Sequence, residues 1–426
     1  MRFRTRLRTS AATIALILLL PTVFIYGVDL QQWVIPGYWA SASGQVSFGL
    51  TFIAPTCGAC AAWEAYRLRK GGIFGWSAVR HPLRIAWDSV VIVVLLGVAG
   101  LISGIVAIWP AVSGAPSGPS PLIALTWISV ILGHTAWGFI LGHFFPLPIA
   151  FPTAAAAGYV WMAYPATLEQ AWPRHLNGRS LDSCCGLFQE PSARVVAGVC
   201  VLAIGFLVAV AAIVAGGARV RTFAIAFTVF ASAATGGFLL VRPMGTEAVQ
   251  NRSSGLTCSG AAPRICLWPE QAKNSTLIRN QLRTSYGVLT GAGIPLPATL
   301  SSGRYGKNSL WVRFAAKPTR QEVVMGFAGS LLPGGPPACA RNAPYDGFEA
   351  YGPSLAWLGL LLDAKPIPQP GRLSPYDWAL ADRIRTLPLD QQLSWYTTNR
   401  QALVTCGRTP VLVPDALIQP TSGGKP

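Results

Sequence analysis

The sequence predicts an α-helical polytopic membrane protein of about seven transmembrane helices, followed by a small extracytoplasmic domain of mixed α/β or α-rich structure. Three observations predict this fold class. Of the 426 residues, 52% are hydrophobic and only 12% are charged, whereas about a quarter of a typical soluble domain is charged. Apolar runs of about 20 residues, enough to cross a bilayer as a helix, recur through residues 1–241. Residues 242–426 are polar and lack such runs.

Seven apolar runs are predicted as spans, at about 11–28, 46–66, 86–109, 121–143, 146–165, 194–215 and 220–241. The first is longer than the apolar core of a signal peptide, so we interpret it as a retained helix. The hairpin over 121–165 has alternatives: it either forms two full spans or is re-entrant and crosses neither time. If only one of its helices spanned, the C-terminal domain would lie in the cytoplasm.

The distribution of basic residues predicts the orientation. Four arginines precede the first span and five Lys or Arg residues lie in loop 67–85, whereas loops 29–45 and 110–120 have none. Cytoplasmic loops carry such an excess of Lys and Arg. The N-terminus is therefore predicted inside the plasma membrane, and seven spans place the C-terminal domain outside. The net charge of +17 mostly reflects residues that flank spans. No basic stripe is interleaved with aromatic residues, so the lipid bilayer is an expected partner and nucleic acid is not.

Composition divides the chain into a transmembrane domain (1–241), a linker (242–257), an extracytoplasmic domain (258–409) and a tail (410–426). Within the extracytoplasmic domain, the apolar pattern predicts an amphipathic helix over 269–290 and two further helices over 376–388 and 390–405. Short strands are expected at 311–314 and 322–327. The Gly- and Pro-rich stretch 330–375 is expected to be mostly loop.

The extracytoplasmic domain contains an even number of cysteines, which outside the cytoplasm favours disulfides. The four are Cys258, Cys266, Cys339 and Cys406, and three pairings are possible. We favour Cys258–Cys266 and Cys339–Cys406, because the first two are local and the last two flank separate elements. A four-cysteine zinc site is the alternative, although the spacing lacks a Cys-x-x-Cys. Cys184 and Cys185 are candidates to link to each other or to a partner.

Catalytic motifs are missing from the extracytoplasmic domain. All four histidines precede it, so it has no Ser-His-Asp triad or His-Glu-x-x-His zinc site of its own. Residues 303–308 resemble a phosphate-binding loop, but Ser301 replaces the first glycine and Asn308 replaces the metal-binding Ser or Thr. We therefore predict no catalytic, cofactor-binding or metal-binding residues, and no ATPase activity in this chain.

Polar residues within the spans form a candidate intramembrane site, His134 with Glu64. Ionisable residues inside a membrane are functional candidates. However, Gly138 and Gly142 follow His134 at four-residue steps and define a small-residue face that packs helix against helix. A neutral histidine bonded across a helix interface is the alternative interpretation. The pattern Gly100-x-x-x-Gly104 is a second packing face, which also suits a homo- or heterodimer in the membrane.

Loop 67–85 is the longest predicted cytoplasmic loop and mixes basic with apolar residues. It either lies on anionic lipid or docks a cytoplasmic partner. The residues of this candidate partner-docking loop are Arg67, Arg69, Lys70, Phe74, Trp76, Arg80 and Arg84.

Three segments carry a resemblance to a known family. They are Trp63–Arg69 at the end of the second span, Arg264–Glu270, and the ending Leu387–Cys406. In these segments the chain resembles actinobacterial membrane proteins related to ABC-2-type transporter permeases that carry an exported C-terminal domain. The resemblance implies a permease subunit whose first six spans form the core and whose loop 67–85 contacts a separate cytoplasmic ATPase subunit. The seventh span departs from the usual six.

Two functions are therefore expected. The first is a permease-like subunit of an ABC-type transporter that moves a hydrophobic or amphipathic substrate with a separate ATPase. The alternative is a membrane-anchored extracytoplasmic binding or sensing protein without transport activity.

Overall fold

A computed structural model describes residues 10–73, 81–182, 184–217, 219–306, 308–366 and 373–415. The chain divides into two compact units, residues 1–251 and 252–426. We call the first the membrane unit and the second the C-terminal unit. The division between Asn251 and Arg252 falls inside the stretch predicted as a linker, 242–257.

The membrane unit is built almost entirely from helices. They are α1 (Ala11–Leu30), α2 (Trp39–Ser47), α3 (Leu50–Lys70), α4 (Pro82–Val112), α5 (Pro121–Phe144), α6 (Leu147–Ala163), the short α7 (Trp172–Leu176), α8 (Ala193–Gly216) and α9 (Val220–Val241). One antiparallel pair of short strands, β1 (Gln189–Pro191) and β2 (Val249–Asn251), joins the loop before α8 to the chain after α9.

Five of the described helices, α1, α4, α5, α8 and α9, are long and apolar enough to cross a membrane. The pair α2 and α3, bent by 48° at a short break, would make a sixth. A mostly helical unit with several candidate membrane-spanning helices is thus confirmed, and the predicted spans differ from the observed helices at two places. The predicted span 46–66 is divided between α2 and α3. The predicted span 146–165 is α6, whose 17 residues give a length of about 25 Å, less than the ~30 Å of a bilayer core.

One end of the membrane unit gathers basic residues, and we call it the basic end. There the Ser10 hydroxyl, before α1, donates to Glu64 Oε1 of α3 at 2.8 Å. The guanidinium of Arg69, also on α3, donates to the carbonyls of His143 and Phe145 at 3.2 and 2.9 Å. The basic end therefore holds the start of α1, the end of α3 and the turn between α5 and α6.

The opposite end, which we call the loop end, is formed by longer connections. The Gly37 amide before α2 donates to the carbonyl of Ala111 at the end of α4, at 3.0 Å. The Asn177 side chain donates to the carbonyl of Trp161 in the last turn of α6, at 2.9 Å. Strands β1 and β2 pair beyond α9. Helix α6 therefore runs from the basic end to the loop end.

The C-terminal unit combines a four-stranded sheet with five α-helices in its described part, which is the first of the two predicted alternatives, mixed α/β or α-rich. The strands are β3 (Thr257–Ser259), β4 (Arg264–Leu267), β5 (Thr299–Ser301) and β6 (Ser309–Trp311), in that spatial order. Strand β3 is antiparallel to β4, and β4, β5 and β6 are parallel. The helices are α10 (Ser275–Gly291), α11 (Arg320–Ser330), α12 (Tyr351–Leu361), α13 (Pro375–Arg385) and α14 (Leu389–Val404).

One hydrophobic core holds the C-terminal unit together. Leu300 of the sheet, Phe327 of α11 and Trp357 of α12 are all completely buried in it. The Trp357 indole donates to Gln392 Oε1 at 2.9 Å, and its ring stacks on Tyr396 with centroids 5.1 Å apart. This hydrogen bond satisfies the only polar atom of the indole at the centre of the core.

The helices predicted at 376–388 and 390–405 are confirmed as α13 and α14. The helix predicted at 269–290 is a 3₁₀ segment, Pro269–Asn274, followed by α10. The strand predicted at 322–327 is wrong, because this segment lies in α11. Thr319 and Glu322 form a capping box that starts this helix, with the Thr319 hydroxyl accepting from the Glu322 amide. Helix α12 also lies inside a stretch predicted to be mostly loop.

Candidate functional site

A cavity of about 600 Å³, open on one side, lies between α5, α6, α8 and α9 of the membrane unit, and the short helix α7 contributes to its wall. Most of the wall is aromatic or aliphatic. The lining residues are Ser129, Val130, Gly133, His134, Trp137, Ala157, Gly158, Trp161, Trp172, Leu176, Asn177, Val199, Leu202, Ala203, Phe206, Phe230, Ala234, Thr235 and Phe238. Trp172, Leu176 and Asn177 belong to the loop end, so the cavity extends from the middle of the helices to that end.

Aromatic rings form the wall of this cavity on the side towards the basic end. Trp137 meets Phe206 edge-on with centroids 6.5 Å apart, and Phe206 meets Phe230 at 4.4 Å. The same three residues also line a smaller cavity of about 260 Å³ that continues along α8 and α9 to Ile213 and Phe223. These two residues lie towards the basic end, so the three rings separate two apolar spaces along the same helices.

His134 supplies polar atoms to the cavity wall. It is 8% exposed, and its Nδ1 lies 2.9 Å from the Val130 carbonyl, one turn earlier in α5. A Cβ atom at Gly158 of α6 would stand 3.3 Å from the imidazole Cδ2. The glycine at this position therefore lets α6 lie directly against the ring. The imidazole bonds to its own helix at Val130 and is also in hydrogen-bond contact with the Gly158 backbone of α6, as the alternative of a histidine bonded across a helix interface expects.

Asn177 fixes the loop end of the cavity. Its amide nitrogen donates to the Trp161 carbonyl at 2.9 Å, and its Oδ1 accepts from the Arg179 amide at 2.8 Å. The side chain is 2% exposed. Asn177 thus satisfies a carbonyl in the last turn of α6, which has no partner within the helix.

His175, beside Asn177, is completely buried and its Nε2 lies 2.9 Å from the Gly245 carbonyl. Burial lowers the pKa of this imidazole from its ordinary value, and the positive charge of Arg174 adds to the decrease. The hydrogen bond to Gly245 opposes it. A neutral ring that donates from Nε2 fits this geometry, and it ties α7 to the chain that follows α9.

The predicted pair of His134 and Glu64 is not brought together. Among the described residues, no hydrogen bond or ion pair joins them. Glu64 accepts from Ser10 and pairs with Arg67 at 3.3 Å, at the basic end. His134 lies in the cavity wall, more than two turns from the basic end of α5. Glu64 is therefore part of the contact between α1 and α3, and His134 is the only one of the two that faces the cavity.

The small-residue face predicted on α5 packs against α3. A Cβ atom at Gly138 would stand 1.9 Å from the Gly58 carbonyl oxygen, and one at Gly142 would stand 2.0 Å from that of Ala62. The two backbones are therefore in direct contact. The other predicted face, Gly100 and Gly104, packs within the chain, against side chains of α1, α2 and α3.

The candidate docking loop is only partly described, since Phe74, Trp76 and Arg80 lie outside the described residues. Arg67 and Arg69 are engaged in contacts within the membrane unit, with Glu64 and with the end of α5. Lys70 and Arg84 are exposed at the basic end. Of the described members, these two are the ones available to an external partner.

Three cysteine pairs lie at disulfide distance. The Sγ atoms of Cys258 and Cys266 are 1.97 Å apart, and those of Cys339 and Cys406 are 2.15 Å apart. These are the pairings that the sequence favoured over the other combinations and over a shared zinc site. Cys184 and Cys185 form the third pair. The remaining cysteines, Cys57, Cys60 and Cys200, are free thiols.

Sequence reasoning identified His134 but missed the aromatic wall around it. Trp137, Phe206, Phe230 and Phe238 lie in uniformly apolar spans. In such spans a hydrophobic face does not distinguish a lipid contact from a cavity wall. One available signal is the presence of aromatic residues near the middle of three different spans, away from the interfaces where membrane proteins usually concentrate Trp and Tyr.

Comparison with known proteins finds a match in the C-terminal unit. Residues 265–406 are similar to a family described as a domain of unknown function (DUF7224). This match covers most of the C-terminal unit and does not extend into the membrane unit. No curated protein and no solved structure matches the chain.

Proposed function

We propose that this protein is a permease-like membrane subunit of an ABC-type transporter, which moves a hydrophobic or amphipathic molecule across the plasma membrane with a separate ATPase. The observation that carries the proposal is the cavity of about 600 Å³ between α5, α6, α8 and α9. Small-molecule sites typically enclose about 300–1,000 Å³ and are mainly hydrophobic and aromatic, with a few placed polar groups.

The chemistry of the cavity wall defines the substrate class. Trp137, Phe206 and Phe230 present aromatic surface on the side towards the basic end, whereas His134 and Asn177 lie nearer the loop end. A molecule with a long apolar part and a small polar group fits this gradient. Its apolar part would lie against the rings and its polar group would face the loop end.

Seven crossings, with the N-terminus inside and the C-terminal unit outside, belong to the proposal. Helix α6 is short, but it runs between the same two ends as its neighbours. If α6 is counted as a crossing together with the six candidate spans, the total is the predicted seven. Lys70, Arg84, Arg219 and Arg221 lie at the basic end, as a cytoplasmic side requires. Cysteine pairs in the C-terminal unit agree with an oxidising compartment on the other side.

The energy source must come from another chain if the proposal is correct. The sequence carries no complete phosphate-binding loop, and such a loop is what P-loop ATPases use to hold nucleotide. Lys70 and Arg84 are exposed members of the candidate docking loop at the basic end, where an ATPase subunit would bind on the cytoplasmic side.

The proposal is tested by isolating the tagged full chain from its own membranes in mild detergent and identifying what copurifies. The expected result is a stoichiometric ATPase chain with a phosphate-binding loop, together with a bound apolar molecule that mass spectrometry detects. Absence of any ATPase, or ATPase activity in the purified chain alone, would refute the transporter assignment.

Two tryptophan variants test the role of the cavity. Ala234→Trp places a large ring in the cavity and should remove the bound molecule while the ATPase still copurifies. Ile204→Trp changes an outward-facing position, 58% exposed on α8, and should leave the bound molecule in place. Equal retention of the molecule in both variants would show that the cavity is not its site.

The alternative is a membrane-anchored extracytoplasmic binding or sensing protein. The observation that favours it is the C-terminal unit, which has its own hydrophobic core and two cysteine pairs. Deleting residues 252–426 distinguishes the two functions. A permease would keep its ATPase and its bound apolar molecule after the deletion, whereas a sensing protein would lose its ligand.

A further inference from the structure

The basic charge of the C-terminal unit is concentrated in its first part. Residues 252–320, which build the sheet and α10, contain ten Lys or Arg residues and one acidic residue, Glu270. Residues 321–426 contain eight basic and eight acidic residues. The Glu270 side chain is 2% exposed and pairs with Arg252 at 3.2 Å, so it does not neutralise the other cations. A strong positive field is therefore built into the sheet region.

The strand register places part of this charge on the face of the sheet opposite the core. Ile265, Leu300 and Leu310 are aligned across β4, β5 and β6, and they belong to the hydrophobic core or pack against it. Side chains alternate between the two faces of a strand. Arg264 of β4 and Trp311 of β6, each one position away from this row, therefore share the other face.

Arginines and aromatic rings interleave on this second face. The Arg264 guanidinium carbon lies 5.7 Å from the ring centroid of Tyr305. Those of Arg304 and Arg313 lie 5.5 and 4.6 Å from the ring centroid of Trp311. All three arginines are exposed. We call these five residues the arginine face. Arg304 and Arg313 lie close to Trp311 in the sequence, whereas Arg264 is 41 positions before Tyr305 and reaches its ring only through the fold.

No acidic side chain forms an ion pair with these three arginines in the part of the chain that the structure describes. Their contacts with the rings orient the guanidinium groups and leave their N–H donors open to solvent. Guanidinium groups bind phosphate through paired hydrogen bonds and are more weakly hydrated than ammonium groups. An anion that bears phosphate groups therefore fits this face best.

The way the unit is tethered points to the source of the phosphate. Strand β2 ends at Asn251 and is paired at the loop end of the membrane unit. Arg264 follows 13 positions later, which limits its distance from Asn251 to about 45 Å. Lipid headgroups at the surface of the protein's own membrane are thus within reach of the chain. Tyr and Trp are also the residues that membrane proteins place at headgroup level.

We propose that the arginine face binds the phosphate groups of anionic phospholipids at the surface of the membrane that the protein spans. This site lies outside the cavity and does not depend on transport. It holds the C-terminal unit at the headgroup layer, where that unit meets molecules that enter or leave the bilayer.

The test measures how the full chain binds vesicles. The protein is reconstituted in nanodiscs of phosphatidylcholine, and its affinity is measured for separate vesicles of phosphatidylglycerol or of phosphatidylcholine. Binding to phosphatidylglycerol alone is expected, and it should weaken as salt screens the charges. The double variant Arg304→Gln, Arg313→Gln should bind about thirtyfold more weakly, because each basic residue near an anionic surface contributes about 1 kcal/mol. Arg264→Gln, beside the other ring, should lose about fivefold.

The matched control is Arg385→Gln, Arg400→Gln, which removes the same charge from exposed positions in the electrically balanced part of the unit. It should bind as the natural protein does. Equal losses in the control and in the arginine-face variants would reduce the effect to net charge and overturn the site. The assignment is also overturned if glycerol phosphate or a single-stranded oligonucleotide competes as well as the vesicles do, or if phosphatidylcholine vesicles bind equally.

Discussion

Replacing Asn177 by leucine should loosen the loop end of the cavity and lower the stability of the membrane unit. The side chain makes two hydrogen bonds shorter than 3 Å, to the Trp161 carbonyl and from the Arg179 amide. Each bond contributes about 1 kcal/mol to the free energy of unfolding, and a buried polar group left without a partner lowers it by about 1–3 kcal/mol more. The expected loss is about 3 kcal/mol, which corresponds to a fall in unfolding temperature of about 6–12 °C for a unit of this size.

The free cysteines supply an assay that is specific to the membrane unit. In a Cys200→Ser background, which removes the half-buried third free thiol, Cys57 and Cys60 are 0% and 2% exposed, so a thiol-reactive fluorophore should label them only when the surrounding helices open. The four cysteines of the C-terminal unit are paired and should stay silent. Heating the full chain in detergent at one fixed scan rate, with this fluorophore present, therefore reports the unfolding of the membrane unit.

Two further variants make the Asn177 test decisive. Asn177→Asp keeps an acceptor for the Arg179 amide but turns a carboxylate oxygen towards the Trp161 carbonyl, so it should lose at least as much stability as Asn177→Leu. Asn251→Leu changes an exposed asparagine in the same unit and should leave the unfolding temperature unchanged. If Asn177→Leu unfolds at the same temperature as Asn251→Leu, the hydrogen bonds of Asn177 do not hold this end together.

Three other predictions follow from contacts described above. Gly138→Ala should force α5 away from α3, which costs about 1–3 kcal/mol of stability and lowers the unfolding temperature in the thiol assay. Gly118→Ala, with no atom within 4 Å of the new Cβ, should leave the unfolding temperature unchanged. Burial lowers the pKa of His175 in the folded state, so the contribution of this residue to stability is fully present above the unfolded pKa of about 6.5 and is lost as the pH falls through the folded pKa. Acidification should therefore lower the unfolding temperature of the natural protein more than that of His175→Gln. Equal dependence of the unfolding temperature on pH in the two proteins would contradict this. The double variant Cys339→Ser, Cys406→Ser should lower the free energy of unfolding by about 4 kcal/mol, and Cys258→Ser, Cys266→Ser by about 2.5 kcal/mol, because the two cysteine pairs close loops of 67 and 8 residues. Denaturant unfolding of the C-terminal unit measures both losses. A larger loss for the pair that closes the shorter loop would contradict the loop-closure argument.

The parts of the fold that were predictable from sequence are those for which one physical requirement dominates. A helix in lipid needs a long uncharged run, and α1, α4, α5, α8 and α9 were each located within a few residues of their ends. Amphipathic spacing similarly located α13 and α14. The strand predicted at 322–327 failed because its Val-Val pair suggested a strand, while the Thr319–Glu322 capping box favours a helix.

The candidate site was less predictable, because it depends on how the helices pack. The bend between α2 and α3 and the short length of α6 leave no distinct mark in an apolar run. Trp137, Phe206 and Phe230 would look the same in the sequence if they faced lipid. On the arginine face, Arg304 and Arg313 are nine positions apart and meet on the Trp311 ring, whereas Arg264 is 40 positions before Arg304 and shares their face of the sheet through the parallel register of β4, β5 and β6.

The close approach of α3 and α5 limits how this protein can vary during evolution. Any side chain at position 138 or 142 would overlap a backbone oxygen of the neighbouring helix, and backbone atoms cannot turn aside as a flexible side chain can. Divergent homologues should therefore keep glycine at both positions and small residues at the facing positions, Gly58 and Ala62, while the lipid-facing positions change freely. Each helix carries two of these four positions, four residues apart. This pattern identifies distant homologues that share the membrane unit.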